Sequence, residues 1–172
     1  MRELAGKTVL IIGTGNVGQS IAKRLGAFDC RTVGLSRSGR EVPFFDAVKT
    51  ISELDHCLPE ADILVLAVPL NIESEGLLSE TRLQLLKDDA TVVNVARGKL
   101  IDENALILWL KEHQKGGAVL DVFESEPLPE ESPLWKLPNV ILSPHNSFVG
   151  EGNPTRMFQV IKKNLNQYKT VR

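Results

Sequence analysis

Short uninterrupted apolar runs recur along the chain, separated by segments in which apolar residues return at helical spacing. The runs are TVLII (8–12), RTVGL (31–35), ILVLAV (63–68), TVVNV (91–95), AVLDV (118–122) and NVILS (139–143). Continuous rather than alternating hydrophobicity is typical of strands that are covered on both faces, as in a parallel sheet. The pattern therefore predicts about six buried, parallel strands.

The intervening segments carry helix signals. One helix is expected to have Gly26 as its C-cap, a second begins after Asp102 as its N-cap and ends at Gly116 or Gly117, and an amphipathic run closes the chain over about 154–168. Parallel neighbours need right-handed crossovers, which place helices on both faces of the sheet. The predicted fold class is α/β, a doubly wound parallel sheet of the Rossmann type, formed as a single domain over residues 1–172.

Composition narrows the classes of partner. The chain has 172 residues, 20 basic and 22 acidic, with a net charge of −2 and no basic stripe, so nucleic acid is not an expected partner. The longest apolar runs fall short of the roughly 20 residues that span a bilayer, so no membrane partner is expected either. Cys30 and Cys57 are too few for a disulfide framework and lack metal-ligand spacing, which predicts no metal site and a reducing, cytoplasmic setting.

A glycine-rich loop follows the first predicted strand and opens a helix. The segment IIGTGNVGQSIAKRLG has the spacing G-x-G-x-x-G, which is typical of a dinucleotide site because the glycines allow a tight turn, close approach of a pyrophosphate and close helix packing. The helix N-terminus supplies N–H groups and a positive dipole end to the phosphates. A merely tight structural turn is the alternative. The expected cofactor-binding residues are Gly13, Gly15, Asn16, Val17 and Gly18.

The end of the second predicted strand, GLSRSGR, lacks the acidic residue that usually holds the adenosine ribose. Hydroxyl groups from Ser36 and Ser38 and guanidinium groups from Arg37 and Arg40 stand there instead. Such groups hold a 2′-phosphate through charge-assisted hydrogen bonds, whereas a carboxylate would repel it. NADP(H) is therefore favoured over NAD(H) as the cofactor, with a solvated polar loop as the alternative interpretation.

Three residues able to do chemistry follow later strands. Arg97 comes after VVNVA, Glu126 lies in the proline-rich segment ESEPLPEESPLWKLP, and His145 follows NVILSP. Reduction of a 2-keto acid needs a cation for the carboxylate and carbonyl and an acid for the new alkoxide, and arginine and histidine suit these tasks. Glu126 would orient the His145 ring, with Glu124 as a competitor for that role. Without further support, Arg97 could equally be a surface ion-pair residue and His145 a structural one.

These motifs resemble the coenzyme-binding domain of the D-isomer-specific 2-hydroxyacid dehydrogenases. The resemblance rests on LAGKTVLIIGTGNVGQSIAKRL, ADILVLAVPL, VVNVARGKLIDENAL and GAVLDVFESEPLPEESPLWKLPNVILSPH, which cover most of the chain. It implies that Arg97 is the family's substrate arginine, that Glu126 is the family's active-site glutamate and that His145 is its acid–base histidine. The implied substrate is a small 2-keto or 2-hydroxy acid, and a homodimer is possible. It also implies nicotinamide-side contacts from Val68, Pro69, Val95, Ala96 and Asp121.

One departure from the family pattern concerns the substrate domain, which in the family is built mainly from sequence before the glycine loop. Here that loop begins at residue 13, which leaves no room for it in this chain. The expectation is a glyoxylate- or hydroxypyruvate-reductase-like coenzyme domain that is inactive alone, because the closed, dry site is incomplete. A non-catalytic dinucleotide-binding or sensing module is the alternative.

Overall fold

The computed structural model describes residues 3–170 and contains one parallel seven-stranded sheet with the strand order β3-β2-β1-β4-β5-β6-β7. This arrangement confirms the predicted doubly wound α/β fold and adds one strand to the expected six. The strands are β1 (Thr8–Ile12), β2 (Arg31–Ser36), β3 (Ala47–Thr50), β4 (Ile63–Leu66), β5 (Thr91–Asn94), β6 (Gly117–Leu120) and β7 (Val140–Leu142).

The additional strand, β3, lies at the edge of the sheet and pairs with β2 from Val33↔Ala47 to Ser36↔Thr50. Its sequence, AVKT, has only one strongly apolar residue, Val48, and all four positions are half-buried. Because neither face of this strand is fully covered, its side chains need not form a continuous apolar run. The apolar pattern therefore does not reveal it.

Helices cover both faces of the sheet, although two are short. They are α1 (Asn16–Gly26), α2 (Leu54–Cys57), α3 (Glu80–Leu83), α4 (Glu103–Glu112) and α5 (Asn153–Thr170). Asp102 caps α4 as predicted, because its carboxylate accepts a hydrogen bond from the Ala105 N–H at 3.0 Å. Two predicted helix ends were wrong. Gly26 is the last residue of α1, with Ala27 as its cap, and α4 ends at Glu112, before Gly116.

Alternating residues of β1 point into two cores, one on each face of the sheet. Leu10 and Ile12 join the larger cluster, which α4 covers with Trp109 and Leu110, whereas Ile11 joins the smaller cluster beneath α1. Cys30 and Cys57 are buried free thiols in these cores, as small apolar residues would be. Since both faces are filled, the exposed edge at the carboxyl ends of the strands is left for the site.

The carboxyl ends of β1 and β4 mark the point where the strand order reverses, because β1 lies between β2 and β4. In open α/β sheets the ligand crevice forms outside this reversal. Helix α5 matches the predicted C-terminal helix closely and carries its apolar side chains exposed. Across residues 3–170 no helix is long and apolar enough to cross a membrane, and no three His, Cys, Asp or Glu side chains are grouped to hold a metal ion.

Candidate cofactor and active site

The glycine loop between β1 and α1 is shaped by two close backbone contacts. Gly13 has a φ of +109°, and a Cβ there would lie 2.4 Å from the Ala67 carbonyl oxygen. A Cβ on Gly18 would lie 1.9 Å from the Gly13 carbonyl oxygen, so α1 packs directly on the loop. At Gly15, by contrast, no described atom lies within 4 Å of a would-be Cβ. The loop therefore leaves open space at the start of α1, whose first turn begins at Asn16 and contains no acidic residue, as a pyrophosphate requires.

Five further residues expected to contact the cofactor line the same edge of the sheet. Val17, in the first turn of α1, is 56% exposed. Val68 and Pro69 follow β4, and Val95 and Ala96 follow β5; Pro69 is exposed and the other three are half-buried. Because β4 and β5 are parallel neighbours, their carboxyl ends meet at one edge. The structure thus brings these residues to the crevice beside the glycine loop.

The end of β2 forms a compact polar turn. The Ser36 hydroxyl oxygen accepts a hydrogen bond from the Gly39 N–H at 3.1 Å, and the Ser38 hydroxyl oxygen accepts one from the Arg40 N–H at 3.3 Å. Gly39 adopts a left-handed φ of +61°, which closes the turn. Each serine uses its oxygen as an acceptor here, so each hydroxyl hydrogen can still be donated to an oxyanion.

Arg37, in the same turn, is paired in a way that the sequence does not reveal. One of its guanidinium nitrogens lies 3.1 Å from a carboxylate oxygen of Glu73, and both side chains are more than 70% exposed. Glu73 follows β4 and is 36 positions further along the chain, so no local pattern signals the contact. Among the residues that sequence reasoning missed, Glu73 lies nearest to the expected 2′-phosphate site.

His145 and Glu126 form the central pair of the candidate active site. The His145 Nδ1 lies 2.8 Å from Glu126 Oε2, and Glu126 Oε1 accepts the Phe123 N–H at 3.0 Å. An ionised carboxylate can only accept, so Nδ1 carries the proton and Nε2 points away from the pair. His145 has a φ of +50°, and its N–H donates to the Asp121 carbonyl at 2.8 Å, so its backbone is held as well as its ring.

Different hydrogen-bond partners distinguish the two candidate glutamates, Glu124 and Glu126. Glu124 faces α4, where its carboxylate accepts the Glu103 N–H at 3.1 Å while its own N–H donates to the Glu103 carboxylate at 3.2 Å. Burial raises the pKa of Glu126, but the hydrogen bonds from His145 and from the Phe123 N–H outweigh burial and lower it. The geometry therefore gives Glu126, and not Glu124, to the histidine.

Arg97 stands on the turn after β5, and its backbone is held by a buried amide. The Asn94 Nδ2 donates to the Arg97 carbonyl at 2.8 Å, and its Oδ1 accepts the Ala96 N–H at 3.1 Å. The Arg97 guanidinium is exposed, and its positive charge helps to lower the pKa of Glu126. Arg97 therefore acts electrostatically on the same site as the pair. Asn94 is a further residue that sequence reasoning missed, although its polar side chain within an apolar strand is a usable signal.

Asp121 anchors the loop that carries His145. Its side chain is buried and accepts hydrogen bonds from the Ser143 hydroxyl at 2.6 Å and from the N–H groups of Asn146 and Ser147 at 3.0 Å each. Burial raises the pKa of Asp121, but these bonds outweigh it and lower the pKa to about 2. In this structure the Asp121 carboxylate thus stabilises the loop that carries His145.

A cavity of about 630 Å³ opens beside the histidine pair. Its volume lies in the range of small-molecule sites, and its wall is mainly apolar, with the polar groups of the pair at its border. The lining residues are Phe123, Glu126, Pro127, Leu128, Trp135, Leu142, Ser143, Pro144 and His145. The candidate active site therefore has room for a small organic substrate or for part of a partner segment.

Comparison with known proteins agrees with this geometry. Residues 1–147 match the family model described as the NAD-binding domain of the D-isomer specific 2-hydroxyacid dehydrogenases. The glyoxylate reductase of Pyrococcus horikoshii is 43% identical over 167 residues, which are 97% of this chain and 50% of that protein. The chain thus spans about half the length of the relatives it matches.

Solved structures show the same arrangement. A D-isomer specific 2-hydroxyacid dehydrogenase family protein from Aeromonas salmonicida superposes with a TM-score of 0.90 and 40% identity, over 99% of this chain and 55% of that one. An NADPH-dependent glyoxylate/hydroxypyruvate reductase from Sinorhizobium meliloti, solved with NADP and sulfate, gives a TM-score of 0.87 and 30% identity, over 99% and 54% of the two chains.

Proposed function

The chain belongs to the NAD-binding domains of the D-isomer specific 2-hydroxyacid dehydrogenases, and on that premise we propose that it is the coenzyme half of an NADP(H)-dependent reductase. The reaction is reduction of a small 2-keto acid to a D-2-hydroxy acid, and residues 1–172 act as one coenzyme-binding domain. The observation that carries the proposal is the His145–Glu126 contact of 2.8 Å at the edge that also holds the glycine loop and Arg97.

The proposed roles follow from the chemistry of each side chain. When bound, a reduced nicotinamide supplies the hydride that adds to the carbonyl carbon. Arg97 holds the substrate carboxylate and polarises the carbonyl through a guanidinium fork. His145 donates a proton from Nε2 to the carbonyl oxygen, and Glu126 keeps Nδ1 protonated and stabilises the charged ring. The substrate thus gains one hydride and one proton and becomes the 2-hydroxy acid.

The choice of NADP(H) rests on the polar turn after β2. It offers two hydroxyl donors, from Ser36 and Ser38, and two guanidinium groups, from Arg37 and Arg40, but no carboxylate of its own. A 2′-phosphate carries nearly two negative charges and binds such donors strongly. The Sinorhizobium meliloti relative, whose NADP complex has been solved, lends further support.

A chimera tests the catalytic roles. Residues of this chain replace the matching half of the Pyrococcus horikoshii glyoxylate reductase, and glyoxylate-dependent NADPH oxidation is followed. We expect turnover in the parent chimera and a loss of about 100-fold or more in kcat for His145→Ala, with NADPH affinity unchanged. His56→Ala, at an exposed histidine outside the site, is the matched control.

Two outcomes would contradict the proposal. Undiminished kcat in the His145→Ala chimera would remove the acid–base role of that residue. A parent chimera that binds NADPH but reduces none of a panel of 2-keto acids would instead favour a non-catalytic dinucleotide-binding module.

A further inference from the structure

The Arg37–Glu73 ion pair joins the two sides of the cofactor crevice. Arg37 follows β2 and Glu73 follows β4, and these strands flank β1 on opposite sides. The glycine loop leaves the carboxyl end of β1 between them. The contact of 3.1 Å therefore bridges the mouth of the crevice on the side where the serine–arginine turn lies.

The loop that presents Glu73 is well ordered by its own hydrogen bonds. The Asn71 Oδ1 accepts the N–H groups of Glu73 and Ser74 at 2.9 and 3.0 Å. The Ser74 side chain is buried, and its hydroxyl donates to the Pro69 carbonyl at 2.9 Å. The backbone of Glu73 thus belongs to a hydrogen-bonded turn, which places its carboxylate beside Arg37 at the crevice.

We propose that Glu73 is a specificity-determining residue that limits the preference for NADP(H) over NAD(H). It does so by binding Arg37 until a 2′-phosphate displaces it. This inference rests on the proposed function, because it takes the turn after β2 as the 2′-phosphate site. The ligand class is a 2′-phosphorylated adenosine, and NAD(H), which lacks that group, does not compete for Arg37.

Two electrostatic effects of Glu73 both lower the affinity for NADPH. The phosphate must take Arg37 from its carboxylate partner, and the displaced carboxylate then lies near a group with nearly two negative charges. Both side chains are largely exposed, so solvent screening keeps each effect small. The expected penalty is therefore modest, about twofold to fivefold in affinity, and it falls on NADPH alone.

The test compares Glu73→Gln with the wild-type chain by titration with NADPH and NADH at one fixed ionic strength. We expect Glu73→Gln to bind NADPH about twofold to fivefold more tightly and NADH with unchanged affinity. Adenosine 2′,5′-bisphosphate and 5′-AMP serve as nicotinamide-free probes and should show the same contrast. Glu75→Gln is the matched control, because Glu75 lies on the same loop but faces Lys99, at 4.0 Å.

Arg37→Gln separates failure of this inference from failure of the proposed cofactor. If Arg37→Gln weakens NADPH binding while Glu73→Gln changes nothing, the inference is wrong and the 2′-phosphate site stands. If Arg37→Gln leaves NADPH binding unchanged, or wild type binds neither cofactor, both are wrong. Weaker NADH binding by Glu73→Gln would overturn the inference in another way, by making Glu73 a ribose ligand.

Discussion

Replacement of Asp121 by asparagine tests how the loop that carries His145 is held. The Asp121 side chain is 3% exposed and accepts hydrogen bonds from the Ser143 hydroxyl and from two backbone N–H groups. Burial raises its pKa, but the hydrogen bonds outweigh burial and lower the pKa from 3.8 to about 2. A difference of this size corresponds to about 2 kcal/mol of folding free energy at neutral pH. An asparagine has one acceptor oxygen and turns donors toward the N–H groups, so it loses most of this stabilisation.

The pH dependence has a definite sign. Because the folded-state pKa is lowered, the stabilisation is complete above the unfolded-state value of 3.8 and is lost as the pH falls toward about 2. We expect Asp121→Asn to lower the free energy of unfolding by about 2 kcal/mol at neutral pH, measured by urea unfolding with tryptophan fluorescence. The difference from wild type should shrink between pH about 4 and about 2.

The matched control for Asp121→Asn is a carboxylate that lies on the surface. Asp88→Asn changes a carboxylate that is 89% exposed, and it should alter the free energy of unfolding by less than about 0.5 kcal/mol. A loss below about 1 kcal/mol for Asp121→Asn, or a difference that persists unchanged at pH about 2, would show that the ionised Asp121 carboxylate does not stabilise the fold in this way.

Substitutions at three further residues have expected outcomes in urea unfolding. In Gly98→Ala the new Cβ would lie 1.9 Å from the Phe123 carbonyl, so we expect a loss above about 2 kcal/mol; wild-type stability would contradict the packing. Trp109 is buried, and its indole N–H has no hydrogen-bond partner within residues 3–170. Trp109→Phe should therefore cost less than about 1.5 kcal/mol against about 3–5 for Trp109→Ala, and equal losses would contradict this. Asn94→Asp places a carboxylate oxygen against the Arg97 carbonyl oxygen and should lower the free energy of unfolding by about 1–3 kcal/mol. No loss would show that the hydrogen bond from the Asn94 side chain is unimportant for stability.

The central sheet is predictable because its strands are buried on both faces. Such strands are largely apolar, and each of the six runs identified in the sequence overlaps an observed strand, although β2 and β6 each extend one residue beyond their run. The exception, β3, lies at the edge, where partial burial is compatible with Lys49 and Thr50. Helix ends are harder to predict, because Gly26 and Gly116 signal a stop whose position tertiary packing shifts by a few residues.

The site is predictable where parallel topology determines it. Arg97, Glu126 and His145 all follow strands whose carboxyl ends share one edge, so their proximity follows from the strand pattern. Contacts between side chains on different loops are not determined in this way. Glu73 could have paired with any cation near the crevice, and the choice of Glu126 over Glu124 depends on the loop path, which no periodicity encodes.

Calorimetric titration of this chain with NADPH and NADH at the same ionic strength shows directly whether the crevice is an NADP(H) site. We expect both cofactors to bind, NADPH to bind about tenfold more tightly or better, and Arg37→Asp to remove this difference. Equal or tighter binding of NADH would reduce the turn after β2 to a solvated loop. Binding of neither cofactor would contradict the assignment of the crevice as a dinucleotide site.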